Sequence, residues 1–175
     1  QCDAIIHIVR AFENNDIVHV ADKVDPKDDI EVINTELILA DLQTIETRLP
    51  KIQKEAKAKP SLKPAAEYLS KLVIHLQSGE PLSSLANLNI DMISDLHLLT
   101  AKPVIYAFNV DEETLGNPQK QAELASMVLP AKSVFVCAKL EEELKGLEET
   151  DAKELLESYG VKETGLNQMI HSAYN

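Results

Sequence analysis

Apolar and polar positions change period along this chain, and each change marks a different kind of element. Ala4-Ile5-Ile6-His7-Ile8-Val9 is a short β-branched run, the pattern of a strand covered on both faces. Arg10 to Asp29 carries Asn14-Asn15-Asp16, Asp22, Asp25-Pro26 and Asp28-Asp29, loop chemistry that ends in a proline-and-acid helix start. From Ile30 the spacing becomes helical. Val32, Leu39, Leu42, Ile45, Leu49, Ile52 and Ala56 form one apolar stripe, with Glu36, Asp41, Gln43, Arg48, Gln53 and Glu55 opposite. Pro50 falls inside that stripe and predicts a kink or the end of the helix's first half. Pro60 and Pro64 bracket a turn. A second stripe follows, Leu62, Ala66, Leu69, Leu72, Val73 and Leu76, stopping at Ser78-Gly79. Two amphipathic helices joined this way predict an antiparallel αα-hairpin with a short tip. A third helix is predicted over Ile90 to Leu99.

The period then changes again. Pro103 to Phe108 reads as a buried strand, Asn117 to Leu129 as an amphipathic helix and Ser133 to Val136 as another strand. Helices are predicted at Leu140–Leu147, Asp151–Tyr159 and Leu166–Tyr174. Strand alternating with helix is the signature of a parallel sheet with right-handed crossovers. The predicted fold class is therefore α/β, a parallel sheet with flanking helices, made by residues 1–29 and 100–175 and interrupted by a helical insertion at 30–99. Because Gln1 is no initiator and the chain runs almost at once into a strand, the sequence reads as an excerpt. An excerpt of that kind should leave its first strand with an open edge and one face short of helix cover, and so tend to self-associate.

The 175 residues are 45% hydrophobic, 4% aromatic and without Trp, so any core is aliphatic. A formal net charge of −12 repels phosphate backbones and anionic lipids on average, so a nucleic-acid partner needs a local basic patch and DNA is not expected. No apolar run approaches the roughly 18 residues a membrane helix needs. Cys2 and Cys137 are isolated, and the simpler reading is a reduced, cytoplasmic setting without a structural disulfide. No spacing of His7, His75, His97 or His171 with acids or cysteines suggests a metal site.

The strongest chemical feature is Asn109-Val110-Asp111-Glu112, directly after the second strand, because ligands in open α/β sheets sit beyond the carboxyl ends of strands. Hydrolases of the Ras type read a base with an Asn followed three residues later by an acid: the amide ties the loop together and contacts the purine, and the acid accepts from a base N–H. A plain turn with Asn109 as a cap is the competing explanation. The next strand end carries Cys137-Ala138-Lys139, where the same architecture places a Ser-Ala-Lys loop whose backbone N–H groups face the base. Cys137 can equally be a small buried hydrophobe.

The chain resembles the YchF-type Obg-like ATPases, within the translation-factor-related P-loop GTPases. The strings that carry the resemblance are Ala11 to Val20, Lys23-Val24-Asp25-Pro26, Asp29 to Leu37 with Leu39-Ala40-Asp41-Leu42, Leu98 to Tyr106, Asn109 to Glu112 and Gly165-Leu166-Asn167. It covers essentially the whole chain and implies a Ras-like nucleotide-binding domain interrupted by a coiled-coil insertion. It implies too that the phosphate-binding loop, the Mg²⁺-contacting residues and the switches lie before Gln1, and a ubiquitin-like TGS domain after Asn175. No G-x-x-x-x-G-K-[ST] occurs here, so this segment alone is expected to be inactive in phosphoryl transfer. The implied cofactor is ATP with Mg²⁺. Glu112, one methylene longer than the Asp of Ras-type enzymes, loses the bidentate fit to guanine, which favours adenine and leaves GTP weakly bound. His19 matches the family's histidine that stands in for a water-orienting Gln, or is simply an exposed loop histidine.

A basic cluster, Arg48, Lys51, Lys54, Lys57, Lys59 and Lys63, gathers at the far end of the first long helix. It can complement the helix dipole, or it can let Lys54, Lys57 and Lys59 reach ribosomal RNA, as the family's translation association implies. The alternative to a nucleotide hydrolase is a helical-hairpin module that binds protein or RNA with no nucleotide chemistry. Overall acidity disfavours its RNA-binding form.

Overall fold

The computed structural model describes residues 3–12 and 24–174. The chain divides into two compact units, the first centred on Glu31–Pro103 and the second on Ala4–Ile30 with Val104–Asn175.

In the second unit, β1 (Ile5–Arg10), β2 (Val104–Asn109) and β3 (Lys132–Val136) form a parallel sheet in that order among the described residues. The register runs from Ile5 opposite Val104 to Arg10 opposite Asn109, and from Ile105 opposite Lys132 to Asn109 opposite Val136. The central strand buries Ile105, Tyr106, Ala107 and Phe108 consecutively, as a strand packed on both faces must. One face packs into the core with Val9, Val110, Leu115, Leu140 and Leu156, and Phe108 stacks on Phe135 at 5.7 Å between centroids. On the other face, α7 (Gly165–Tyr174) lies against β2 and β3, and its Met169 packs on Ile105, Ala107 and Val134.

β1 departs from the expectation of two covered faces. His7 and Val9 are buried, but Ile6 is 42% and Ile8 69% exposed. The reason is position: β1 is an edge strand among the described residues, and α7 packs mainly on β2 and β3. A β-branched run reports a strand without reporting how many of its faces have partners.

The remaining helices of this unit are α3 (Glu112–Leu115), α4 (Pro118–Ser126), α5 (Ala138–Glu143) and α6 (Glu149–Ser158). Asn117 caps α4, its side-chain oxygen accepting from the Gln119 and Lys120 N–H groups at 3.1 and 3.2 Å, with Pro118 at the first helical position. The helix expected at 140–147 begins two residues earlier and ends at Glu143. The short α3 was not anticipated.

The helical unit is built on α1 (Pro26–Ala58) and α2 (Lys63–Gln77), joined by a single 3₁₀ turn at Pro60–Leu62. Asp25 opens α1 by accepting from the Lys27 N–H at 3.0 Å. Gly79, at a φ of +84°, receives the chain as it leaves α2, donating to the Leu76 carbonyl at 2.9 Å. Ile38, Ile45, Ile52, Leu69, Leu72 and Leu76 make the core.

Two expectations fail here, and of the two outcomes offered for Pro50 the end of the helix does not occur. α1 passes through Pro50 without ending. Pro50 is exposed, so the carbonyl that loses its donor faces water, and burial of Ile45 and Ile52 on the other side offsets a penalty of about 3 kcal/mol. Asp41 belongs to the buried side at 2% exposure, whereas Val32 and Leu39 of the expected apolar stripe are 55% and 58% exposed. The third helix, Ile90 to Leu99, is instead two 3₁₀ turns, Ile90–Met92 and Ser94–Leu96. Short polar side chains compete with the helix ladder there: the Asn89 oxygen accepts from the Met92 N–H at 3.3 Å and the Ser94 hydroxyl donates to the Asp91 carbonyl at 3.3 Å. His97, at a φ of +51°, ends the run in the left-handed region.

Asp41 explains its own burial. Its carboxylate accepts from the Leu99 N–H at 2.7 Å, the Thr100 N–H at 2.7 Å and the Thr100 hydroxyl at 2.6 Å. The Thr100 hydroxyl oxygen in turn accepts from the Leu82 N–H at 3.2 Å. One acid thereby ties α1 to the two segments that follow the hairpin.

Candidate functional site

Parallel pairing puts the carboxyl ends of β2 and β3 side by side, with Asn109 opposite Val136. The ladder continues one step past the strands, where the Val110 N–H donates to the Val136 carbonyl at 2.8 Å. The Asn109 side-chain oxygen then accepts from the Ala138 N–H at 3.3 Å, so a single amide bridges the turn after β2 and the turn after β3. With its oxygen so engaged, the Asn109 NH₂ remains as a donor at the mouth of the two turns.

The acids of the first turn divide the labour. Asp111 caps α3, accepting from the Thr114 N–H at 2.8 Å, and hydrogen bonds from the Thr114 side chain and backbone hold its carboxyl below the ordinary carboxylate value. Glu112, the first residue of α3, reaches across to Lys139, with 2.5 Å between the carboxylate and the ammonium. That carboxylate pushes the Lys139 ammonium up from its ordinary value.

Six residues expected at the base-binding site therefore fall together: Asn109, Val110 and Glu112 from one turn, Cys137, Ala138 and Lys139 from the other. They do not contribute alike. The side chains of Val110 and Cys137 are 1% and 4% exposed and belong to the core, so these two can offer a ligand only backbone groups. Ala138 and Lys139 are exposed, Asn109 and Glu112 half-buried. His19 lies outside the described residues.

Lys54, Lys57 and Lys59 belong to the other unit. They are exposed on the last turns of α1 and the residue leading to the 3₁₀ turn, and the ion pairs found among the described residues involve none of them. Between α1 and α2 beside them lies a shallow groove of about 260 Å³ lined by Gln53, Ala56, Lys57, Lys63, Ala66 and Ser70, opened by the two small alanines.

Other contacts near the two turns and in β1 were not announced by the sequence. Glu141, on α5 one turn after Ala138, accepts from the Gly165 N–H at 2.6 Å, and Gly165 lies tight against Val136. In β1, His7 is buried with its ring 5.3 Å from that of Tyr106, and its Nδ1 has no hydrogen-bond partner among the described residues. Burial holds its imidazole below the ordinary value, against a smaller opposing pull from Asp29.

A parallel sheet with an Asn-x-x-Glu turn and a Cys-Ala-Lys turn joined at adjacent strand ends places this chain in the class of Ras-like α/β nucleotide-hydrolase folds. The Schizosaccharomyces pombe YchF GTPase superposes on it with a TM-score of 0.81 at 29% identity, over 99% of this chain and 50% of that one. Proteins named ribosome-binding ATPase YchF are 41% identical in Bacillus subtilis, 39% in Haemophilus ducreyi and 37% in Escherichia coli O157:H7. The first match takes in 100% of this chain and 50% of the relative, the other two 99% and 49%. No protein-family model matches. Over its whole length the chain is similar to YchF proteins, and it spans about half the length of the curated relatives it matches.

Proposed function

We propose that this chain is the base-binding part of a nucleoside-triphosphate hydrolase of the Obg/YchF type, taking adenine nucleotide in preference to guanine nucleotide. The observation that carries the reading is the Asn109 bridge to the Ala138 N–H. It fixes the carboxamide with its NH₂ free to donate to a purine ring nitrogen, beside the backbone amide of Lys139, which can meet the base edge. The names of the relatives support hydrolysis of a nucleotide.

The Lys139–Glu112 pair supports the base preference. Guanine offers two N–H donors to an acid at this position, and in Glu112 they meet a carboxylate already shared with Lys139. Adenine has no such requirement, since its N1 is an acceptor. An exposed pair of this sort is a weak obstacle, which fits weak GTP binding rather than its exclusion.

ATP phosphates need a glycine-rich loop with a lysine, and Mg²⁺ needs hydroxyl and carboxylate ligands. The chain has no such loop, and among the described residues no group of acids, histidines and cysteines is placed to hold a metal. In this reading those contacts come from residues outside the chain, a TGS domain follows it, and residues 30–99 are the family's helical insertion. His19 is the proposed water-orienting residue. The ribosome is the proposed partner, as the names of the relatives support, and Lys54, Lys57 and Lys59 at the hairpin tip are the proposed contacts to its phosphates. No helix of the described residues is long and apolar enough to cross a membrane, and the proposed setting is the cytoplasm.

Titration with a fluorescent adenine nucleotide tests the assignment. Feeble binding by this chain and tight binding, with hydrolysis, by a longer chain carrying a phosphate loop upstream are expected. Equal, negligible binding by both would leave the hairpin-interaction module as the better account.

A further inference from the structure

Backbone bonds and Asn109 hold the Cys137–Lys139 turn on one side only, through β2. On the other side, Gly165, the first residue of α7 and itself buried, donates its N–H to the Glu141 carboxylate at 2.6 Å. Glu141 is part of the first turn of α5, its N–H bonded to the Cys137 carbonyl at 3.0 Å. The same glycine presses on the strand that delivers the turn. A Cβ at 165 would stand 2.7 and 2.8 Å from the two Val136 methyl carbons and 3.0 Å from the Val136 Cβ, closer than any side chain tolerates. Val136 is the partner of Asn109 in the ladder, and its carbonyl accepts from the Val110 N–H.

We propose that Glu141 and Gly165 are positioning residues for the base: a clasp that sets where the 137–139 backbone stands relative to Asn109. The proposal depends on the base-binding reading above. The clasp works through two independent contacts. Glu141 pulls α5 toward the start of α7 by a charge-assisted hydrogen bond, and the missing side chain of Gly165 lets α7 close onto β3. Loosening either shifts the Ala138 and Lys139 amides by some tenths of an ångström, enough to spoil hydrogen bonds that need 2.7–3.2 Å.

ADP binding to this chain, followed by amide chemical shifts during millimolar titration, provides the test. Gly165→Ala and Glu141→Ala should each weaken ADP about tenfold and displace the Ala138 amide resonance before any ligand is added. Two rescues separate positioning from general damage. Glu141→Gln keeps an oxygen that accepts from Gly165 and should bind within about threefold of the parent, at the generic scale of a neutral for a charged acceptor. Val136→Ala removes the two methyl groups that a Cβ at 165 would strike, so in the Gly165→Ala background it should recover most of the lost affinity. Failure of both rescues, or unchanged affinity in Gly165→Ala and Glu141→Ala, overturns the clasp. Asn109→Ala distinguishes the two levels: if it weakens ADP while the clasp variants do not, only the clasp is wrong. If Asn109→Ala also leaves ADP binding unchanged, the base-binding reading fails with it.

Discussion

Replacing Asp41 by Ala removes an acceptor that serves three donors inside the helical unit. Each hydrogen bond to a charged acceptor contributes about 1.5–3 kcal/mol, and the contributions of donors sharing one carboxylate do not add. The residue left behind matters more. The Thr100 N–H and hydroxyl sit on a residue only 4% exposed, and a buried donor without a partner costs about 1–3 kcal/mol. The Leu82 N–H, held by the Thr100 oxygen at 3.2 Å, loses its alignment as that side chain turns. A loss of about 3–5 kcal/mol follows, which for a chain of this size lowers the melting temperature by about 6–20 °C. Urea unfolding read by far-ultraviolet circular dichroism measures it directly. Glu36→Ala and Gln43→Ala supply the controls: both positions are exposed on α1 and should change stability by no more than about 0.5 kcal/mol. An Asp41→Ala variant that unfolds within 1 kcal/mol of the parent would refute the claim that this acid holds the segments following the hairpin.

Pro50→Ala restores an N–H to an exposed turn of α1 and should stabilise the helical unit by about 1–3 kcal/mol, seen as a higher urea midpoint; no gain would mean the helix already compensates at that turn. His7 predicts a pH dependence. Its folded pKa lies below the ordinary 6.5, so the unfolded chain takes up a proton that the fold resists, and the stability His7 contributes is present above 6.5 and lost as pH falls toward the folded value. His7→Phe should flatten the unfolding free energy below about pH 6.5 relative to the parent, and parallel profiles would exclude the histidine as the source. Reversing Lys54, Lys57 and Lys59 to Glu in a chain of the relatives' full length should weaken ribosome co-sedimentation and flatten its salt dependence. Unchanged co-sedimentation at low and moderate salt would remove the hairpin tip as the contact.

The sheet was legible because apolar β-branched runs at 4–9, 103–108 and 133–136 have few other uses, and the alternation with helices dictates parallel pairing. The meeting of the two turns was legible for a related reason: a parallel sheet puts the ends of successive neighbouring strands together, so an Asn after one and Ala-Lys after the next must meet. What the sequence concealed depends on contacts far apart in the chain. Asp41 looks like any polar residue of an amphipathic helix until Leu99 and Thr100, 58 and 59 positions away, supply its donors. Ile6 and Ile8 look like core until the sheet's edge is located. Glu141 has no local signature, and Gly165 shows its purpose only when Val136 is found against it. Pro50 left open a helix end that does not occur, because the cost of proline depends on which side of the helix it faces, and the flanking stripe alone does not weigh that against burial.

Amide chemical shifts of this chain during titration with adenosine bear most directly on the central claim, because they report a weak ligand residue by residue without requiring the phosphates. The account predicts that the largest shifts fall on Val110, Ala138 and Lys139 and on the Asn109 side-chain NH₂, while the amides of 40–100 stay in place. Shifts concentrated in the hairpin, or none at either turn as adenosine approaches saturation of the solution, would contradict it.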